Sequence, residues 1–156
     1  MKQLAALLAL LWASAASAAT PLTDRLAYEG AQNSVVMAGK PTLPVPPSEQ
    51  LTALRQRRQC SAGGPAAHWA IIDSTLYLTH FTDCGSTVPL GAVYEGVTAP
   101  LVATWISGEL QTGRGAVICF TVEKGAVSDT MVTFTVDRGI VTDVEERDNS
   151  GNCPER

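Results

Sequence analysis

From residue 66 onward the chain is a succession of short runs rich in β-branched and aromatic residues, separated by polar or glycine-bearing turns. That pattern points to a β-sheet. Residues 66–72 (AAHWAII) and 76–82 (LYLTHFT) flank a turn near Asp73-Ser74. Residues 100–110 (PLVATWISGEL) and 116–122 (AVICFTV) are joined across 112–115 (TGRG), and 130–136 (TMVTFTV) and 140–144 (IVTDV) across Asp137-Arg138-Gly139. Strands this short, so regularly spaced, predict a mainly β fold: a curved antiparallel meander sheet, with a partly closed barrel as its extreme form. In 116–122 nearly every position is apolar, which predicts a central strand buried on both faces or a sheet curled on itself. Met131, Thr133 and Thr135 alternate with Val132, Phe134 and Val136, so one face there is wetter. Residues 145–156 (EERDNSGNCPER) read as an irregular polar tail held through Cys153.

The part before residue 66 is organised differently. Residues 26–28 and 33–37 flank Glu29-Gly30, a hairpin pattern. Residues 40–48 (KPTLPVPPS) hold four prolines, a stiff extended connector with few backbone donors. Ser48 is placed to cap one short helix over 49–58, with Glu49 in its first turn and Arg55, Arg57 and Arg58 at its end, each sign complementing the helix dipole. Residues 60–65 (CSAGGP) stop it, and a helical turn is expected near 90–94.

The first residues form a basic start (Met1-Lys2-Gln3), an uncharged apolar run (4–13) and a small-residue stretch ending in Ala16-Ser17-Ala18, the three parts of a secretory signal. The apolar run is shorter than the ~20 residues a membrane-spanning helix needs. The expected organisation is a cleaved signal peptide at 1–18, an amino-terminal hairpin and proline-rich connector at 19–47, and a helix plus β-domain at 48–156, all in one globular unit. The product is expected in the bacterial periplasm or medium, without membrane insertion after cleavage. With 11 basic against 15 acidic residues and no basic stripe, nucleic acid is not an expected partner.

Four cysteines, Cys60, Cys84, Cys119 and Cys153, follow the leader at spacings of 24, 35 and 34 residues. Structural zinc sites need closely spaced ligand pairs, so an exported chain with this spacing reads as carrying two disulfides. Three pairings are possible. Cys60 and Cys84 flank the hairpin at 66–82 at similar distances, which favours Cys60–Cys84 and leaves Cys119–Cys153 to tie down the tail.

Few residues carry chemistry. His68 and His80 fall in one hairpin, and a register centred on Ser74 sets them opposite each other. With Asp83 nearby they are weak candidates for a metal or an acid–base pair, though two donors on one hairpin lack an obvious third ligand. Ser107 lacks the strand-to-helix elbow of a hydrolase nucleophile, and no nucleotide-binding glycine motif is present. Asp143, Glu145 and Glu146 read as solvated acids. Trp69 and Trp105 sit in apolar runs and are expected in the core. No catalytic residue, metal or cofactor is assigned.

At Trp69-x-Ile71, Leu76-Tyr77-Leu78-Thr79, Pro89-Leu90 and Ala103-Thr104-Trp105-Ile106-Ser107-Gly108-Glu109-Leu110 the chain resembles a group of small exported bacterial proteins without an established activity. Members share a W-x-I…LYLT hairpin and an A-[TD]-W-x-S-G-x-L strand, and the start Asp24-x-Leu26-x-Tyr28-x-Gly30 also fits. Members often continue with Y-V-H-M-G-Y-G, where this chain has 116–122 instead. The resemblance implies a shape rather than a role.

The favoured expectation is an exported, non-enzymatic binding or interaction protein of the cell envelope, of which an inhibitor or immunity-type protein is one version, with a protein as its unknown partner. The alternatives are a small periplasmic hydrolase using scattered carboxylates or His68 and His80, and a ligand carrier whose curved sheet encloses a cavity.

Overall fold

A computed structural model describes residues 22–57, 64–122 and 125–153. The expected signal peptide, Arg58 and Cys60 lie outside them. The strands are β1 (Arg25–Tyr28), β2 (Ala31–Met37), β3 (Ala66–Ile72), β4 (Thr75–Asp83), β5 (Ser86–Pro89), β6 (Leu101–Val102), β7 (Gly108–Thr121), β8 (Gly125–Asp137) and β9 (Ile140–Asp148). One α-helix, α1 (Glu49–Arg57), precedes β3, and a 3-10 turn at Leu90–Ala92 follows β5.

Two-residue turns set the hairpins. Glu29-Gly30, Asp73-Ser74, Cys84-Gly85 and Arg138-Gly139 each have positive φ at both positions, between 45° and 80°. This is the geometry whose twist matches paired antiparallel strands. At Gly139 a side chain is also excluded by space, since a Cβ there would lie 2.8 Å from the carbonyl carbon and oxygen of Ala103.

The strands pair in the order β3-β1-β2-β7-β8-β9-β4-β5, and a further β3–β4 pairing closes seven of them into a ring. It departs from a simple antiparallel meander in two places. β1 and β3 run parallel, Leu26 beside Trp69, and β2 pairs on its second side with β7 rather than with β3, the next strand in sequence. The connector and α1 carry the chain from β2 to the far side of β1, where β3 enters parallel to it. The ring's last junction is short: β4 and β9 pair at Thr75 and Ile140, supported by Leu76 N–H donating to Gly139 O and Val141 N–H donating to Ser74 O.

The predicted strand over 100–110 is interrupted. Only Leu101–Val102 pair with β4; Ile106 N–H then donates back to Ala103 O, a turn that buries Ala103 and Ile106. Trp105 therefore stands at the turn with 36% of its surface exposed rather than in the core, its indole N–H donating to Pro44 O. The chain beyond Val144 is likewise not an irregular tail. β9 continues to Asp148, with Glu145, Glu146, Arg147 and Asp148 opposite Thr133, Val132, Met131 and Thr130.

One core unites these parts. Leu26, Val35, Leu43, Leu51, Trp69, Leu76, Leu78, Phe81, Val132 and Phe134 are buried together, so the hairpin, the connector, α1 and the later strands share it. Ser48 caps α1 as its position suggests, its Oγ accepting the Leu51 N–H at 3.0 Å. The connector offers carbonyls but few donors, and side chains supply the missing partners. Trp105 serves Pro44, and the Tyr94 hydroxyl donates to Pro46 O. Asp24 completes this arrangement: only 2% exposed, it accepts N–H donors from Leu43 in the connector and from Ala67 and the Trp69 indole in β3.

Candidate functional site

His68 and His80 lie opposite each other and stack, with ring centroids 4.2 Å apart and planes 17° from parallel. The two-residue turn alone would not achieve this. Its register sets Trp69 opposite Leu78, and would continue His68 to Thr79; a bulge at this point advances the pairing to His80. Thr79, the extra residue, donates its hydroxyl to His68 O and meets His80 Nδ1 at 2.9 Å. With the Thr79 proton so used, His80 Nδ1 is the donor of that contact.

On the other ring, Gln32 Nε2 donates to His68 Nδ1 at 2.9 Å, so Nε2–H of His68 donates to the Thr82 hydroxyl at 2.7 Å. These contacts assign His68 the Nε2–H tautomer and place a proton on His80 Nδ1. Burial, then His80 and Arg25, pull the His68 pKa down to about 4, and burial lowers that of His80. Coordination of one metal requires in-plane lone pairs that converge, whereas stacked rings hold theirs side by side, and Gln32 already occupies that of His68 Nδ1. Asp83 lies three residues beyond His80 on a regularly paired stretch, which places it on the opposite face of β4. Among the described residues no group of three or more His, Cys, Asp or Glu could hold a metal ion. The pair acts as an internal brace between β3, β4 and the β2 side chain Gln32.

The other sequence candidates are dispersed. Trp69 is in the core. Ser107 accepts the Arg138 N–H at 2.8 Å and donates to Asp137, so it supports the β8–β9 turn. Asp143, Glu145 and Glu146 are exposed along β9; Glu145 is paired with Arg147, and Glu146 with Arg114, which also contacts Glu29 at 3.0 Å. A cleft of about 440 Å³ beside α1 is lined by Asp24, Leu43, Arg55 and Phe81 among others, and its carboxylate is already engaged by three donors.

The feature that stands apart is the far end of the β7–β8 hairpin. β2 accompanies β7 only as far as Thr112, and β9 accompanies β8 only from Thr130 onward. Beyond those points the two strands project as a ribbon. Two register shifts, between Arg114 and Val117 and between Val117 and Cys119, bend it and increase its twist. The first depends on Gly115, with φ of +83° and the Asp129 carboxylate standing where a side chain would go. The expected burial of 116–122 on both faces is not found: Val117 is 51% exposed, Ile118 37%, Phe120 76% and Val122 fully. Among the described residues no strand flanks them, because β2 and β9 have both ended.

One edge of the ribbon is closed by the tail. Asn149, buried, donates its backbone N–H to Asp129 O and its side-chain amide to Ser128 O. The Cys119–Cys153 disulfide then fastens the tail to β7. Cys60, the expected partner of Cys84, lies outside the described residues.

No protein family, curated protein or solved structure matches the chain.

Asp24, Leu26, Trp69, Leu76, Leu78 and Ile106 are core or hydrogen-bonding positions, and Tyr28 packs edge-on against Phe134. They maintain the ring. The ribbon at 116–122, by contrast, carries exposed apolar side chains.

Proposed function

We propose that this chain is an exported, non-enzymatic interaction protein of the bacterial cell envelope, released from a signal peptide at 1–18, braced by a second disulfide between Cys60 and Cys84, and related to the small exported proteins it resembles. Its contact surface is the β7–β8 ribbon. The observation that carries this is the set of four large apolar side chains exposed together on a disulfide-anchored ribbon. Soluble proteins rarely leave apolar side chains clustered in this way unless a partner covers them. A disulfide near its tip, at Cys119, holds the ribbon in place before contact, which lowers the ordering cost of binding. An inhibitor or immunity-type protein, which presents a rigid projecting element to another exported protein, fits this arrangement.

The test compares the wild-type protein with Phe120→Asp as bait for envelope proteins of the native host. Phe120 packs little against its own chain, so the variant is expected to fold as the wild type does. A specific protein retained by the wild type and lost by the variant supports the proposal. Identical retention by both, or none by either, overturns it.

A further inference from the structure

We infer that the stacked pair of His68 and His80 is an acid-sensitive latch, which holds the β3–β4 hairpin to β1 and β2 while both imidazoles are neutral and releases that seam when they are protonated. It involves none of the ribbon residues and stands apart from the function proposed above.

The topology shows what the latch holds. In strand pairing, the β3–β4 hairpin meets the rest of the closed sheet at two short junctions. On one side Thr75 of β4 pairs with Ile140 of β9. On the other, β3 runs parallel to β1 over three positions, with Arg25 beside His68, Leu26 beside Trp69 and Ala27 beside Ala70. On the core side of this seam, Asp24 accepts from the Ala67 N–H and the Trp69 indole. On the outer face the link is Gln32, which reaches across β1 from β2 and donates to His68 Nδ1.

The surroundings of the imidazoles suit neutral rings and not charged ones. Among residues on the same outer face, β1 supplies a cation, Arg25. Gln32 and Ser34 of β2 and Thr87 and Pro89 of β5 carry no charge. β4 adds hydroxyl groups, while Asp83 lies on its other face. No carboxylate contributes to the pKa of either histidine. Protonation therefore sets two imidazolium ions face to face at 4.2 Å, and puts a cation on β3 beside the Arg25 of β1, with nothing to neutralise them. Once Nδ1 of His68 carries a proton it no longer accepts from Gln32. The exposed Gln32 amide can turn its oxygen to that proton, yet the like charges across the seam stay.

The sign follows from linkage. Burial, then His80 and Arg25, hold the His68 pKa at about 4 in the closed seam, against its ordinary value of about 6.5 once the seam is open. Closure is thus unopposed above 6.5 and increasingly opposed below it. Asp24 works the other way: burial raises its pKa, so its protonation favours the closed seam. Opening in acid is attributable to the imidazoles.

Hydrogen exchange, expressed as protection factors at pH 7 and pH 4, is the test. Amides in 25–28 and 66–72 report the seam, and those in 132–136 of β8 are the internal reference. In the wild type, seam protection is expected to fall at least ~tenfold in acid and to end at least ~tenfold below the reference, so that the seam opens while β8 stays paired. His68→Gln keeps hydrogen-bonding capacity without a titrating group, and its seam is expected to lose less than ~threefold. Arg25→Gln, at an exposed position, removes the cation across the seam and is expected to lose less than the wild type. It keeps the inference open to refutation should His68→Gln fail to fold, which circular dichroism reports. Wild-type seam protection that falls less than ~threefold overturns the inference. So does a seam as well protected as the reference at pH 4, or a loss in either folded variant equal to that of the wild type.

Discussion

Asp24 is where a single substitution is expected to loosen the most structure. Its Oδ2 accepts the Leu43 N–H at 2.8 Å and the Trp69 indole N–H at 3.0 Å, and its Oδ1 accepts the Ala67 N–H at 3.0 Å. Asp24→Ala strands three buried donors, each costing about 1–3 kcal/mol when left without a partner. Part of that loss is returned, because burial of the carboxylate opposes its charge and raises its pKa against the lowering effect of those same donors. The net destabilisation expected is about 3–5 kcal/mol. Asp24→Asn retains one oxygen for Leu43 and Trp69 but turns an amide toward the Ala67 N–H, for an expected loss of about 1–2 kcal/mol. Urea unfolding followed by tryptophan fluorescence measures both, since Trp69 reports directly on the site. An Asp24→Ala protein within 1 kcal/mol of the wild type would refute the reasoning that this carboxylate joins the connector to β3.

Acid is expected to weaken the fold through the histidine pair. The unfolded state takes up a proton near pH 6.5, whereas His68 in the folded state resists until about 4, so stability is intact above 6.5 and falls between those values. Partial solvent screening of the half-buried ring reduces the effect to about 1–2 kcal/mol, and His68→Gln should lose less stability than the wild type between pH 7.5 and 4.5 in urea titrations. Cys119→Ser opens a loop whose ends are 34 residues apart, at a cost of about 2–4 kcal/mol, and should also accelerate hydrogen exchange at Asn149 and along 125–129. Gly139→Ala forces a Cβ into the Ala103 carbonyl at a left-handed position, and a drop of at least ~2 kcal/mol in thermal or urea unfolding is expected.

Local features of the fold were legible in the sequence because local chemistry decides them. The turns at Glu29-Gly30, Asp73-Ser74 and Arg138-Gly139 and the Ser48 cap depend on residues next to one another, and each is where the residue types point. The opposition of His68 and His80 follows from a register centred on Ser74, although it is reached through the bulge at Thr79 rather than through the turn. Long-range relations were not legible. Nothing within 25–28 or 66–72 marks them as parallel partners, and nothing within 100–110 marks the turn at Trp105, because the only glycine nearby comes after it. The acidic run 145–148 has the composition of a tail, yet it is an edge strand whose charges face water. Most consequentially, an unbroken apolar run such as 116–122 looks the same whether neighbours cover both its faces or none do. Only the lengths of β2 and β9, set elsewhere in the chain, decide between these.

The most direct test of the ribbon as the working surface is photo-crosslinking in the native host, with a photoreactive amino acid placed at position 120 and, separately, at position 143. Adducts at 120, with none at 143, are the expected result. Adducts at 143 alone, equal adducts at both positions, or none at 120 would contradict the account.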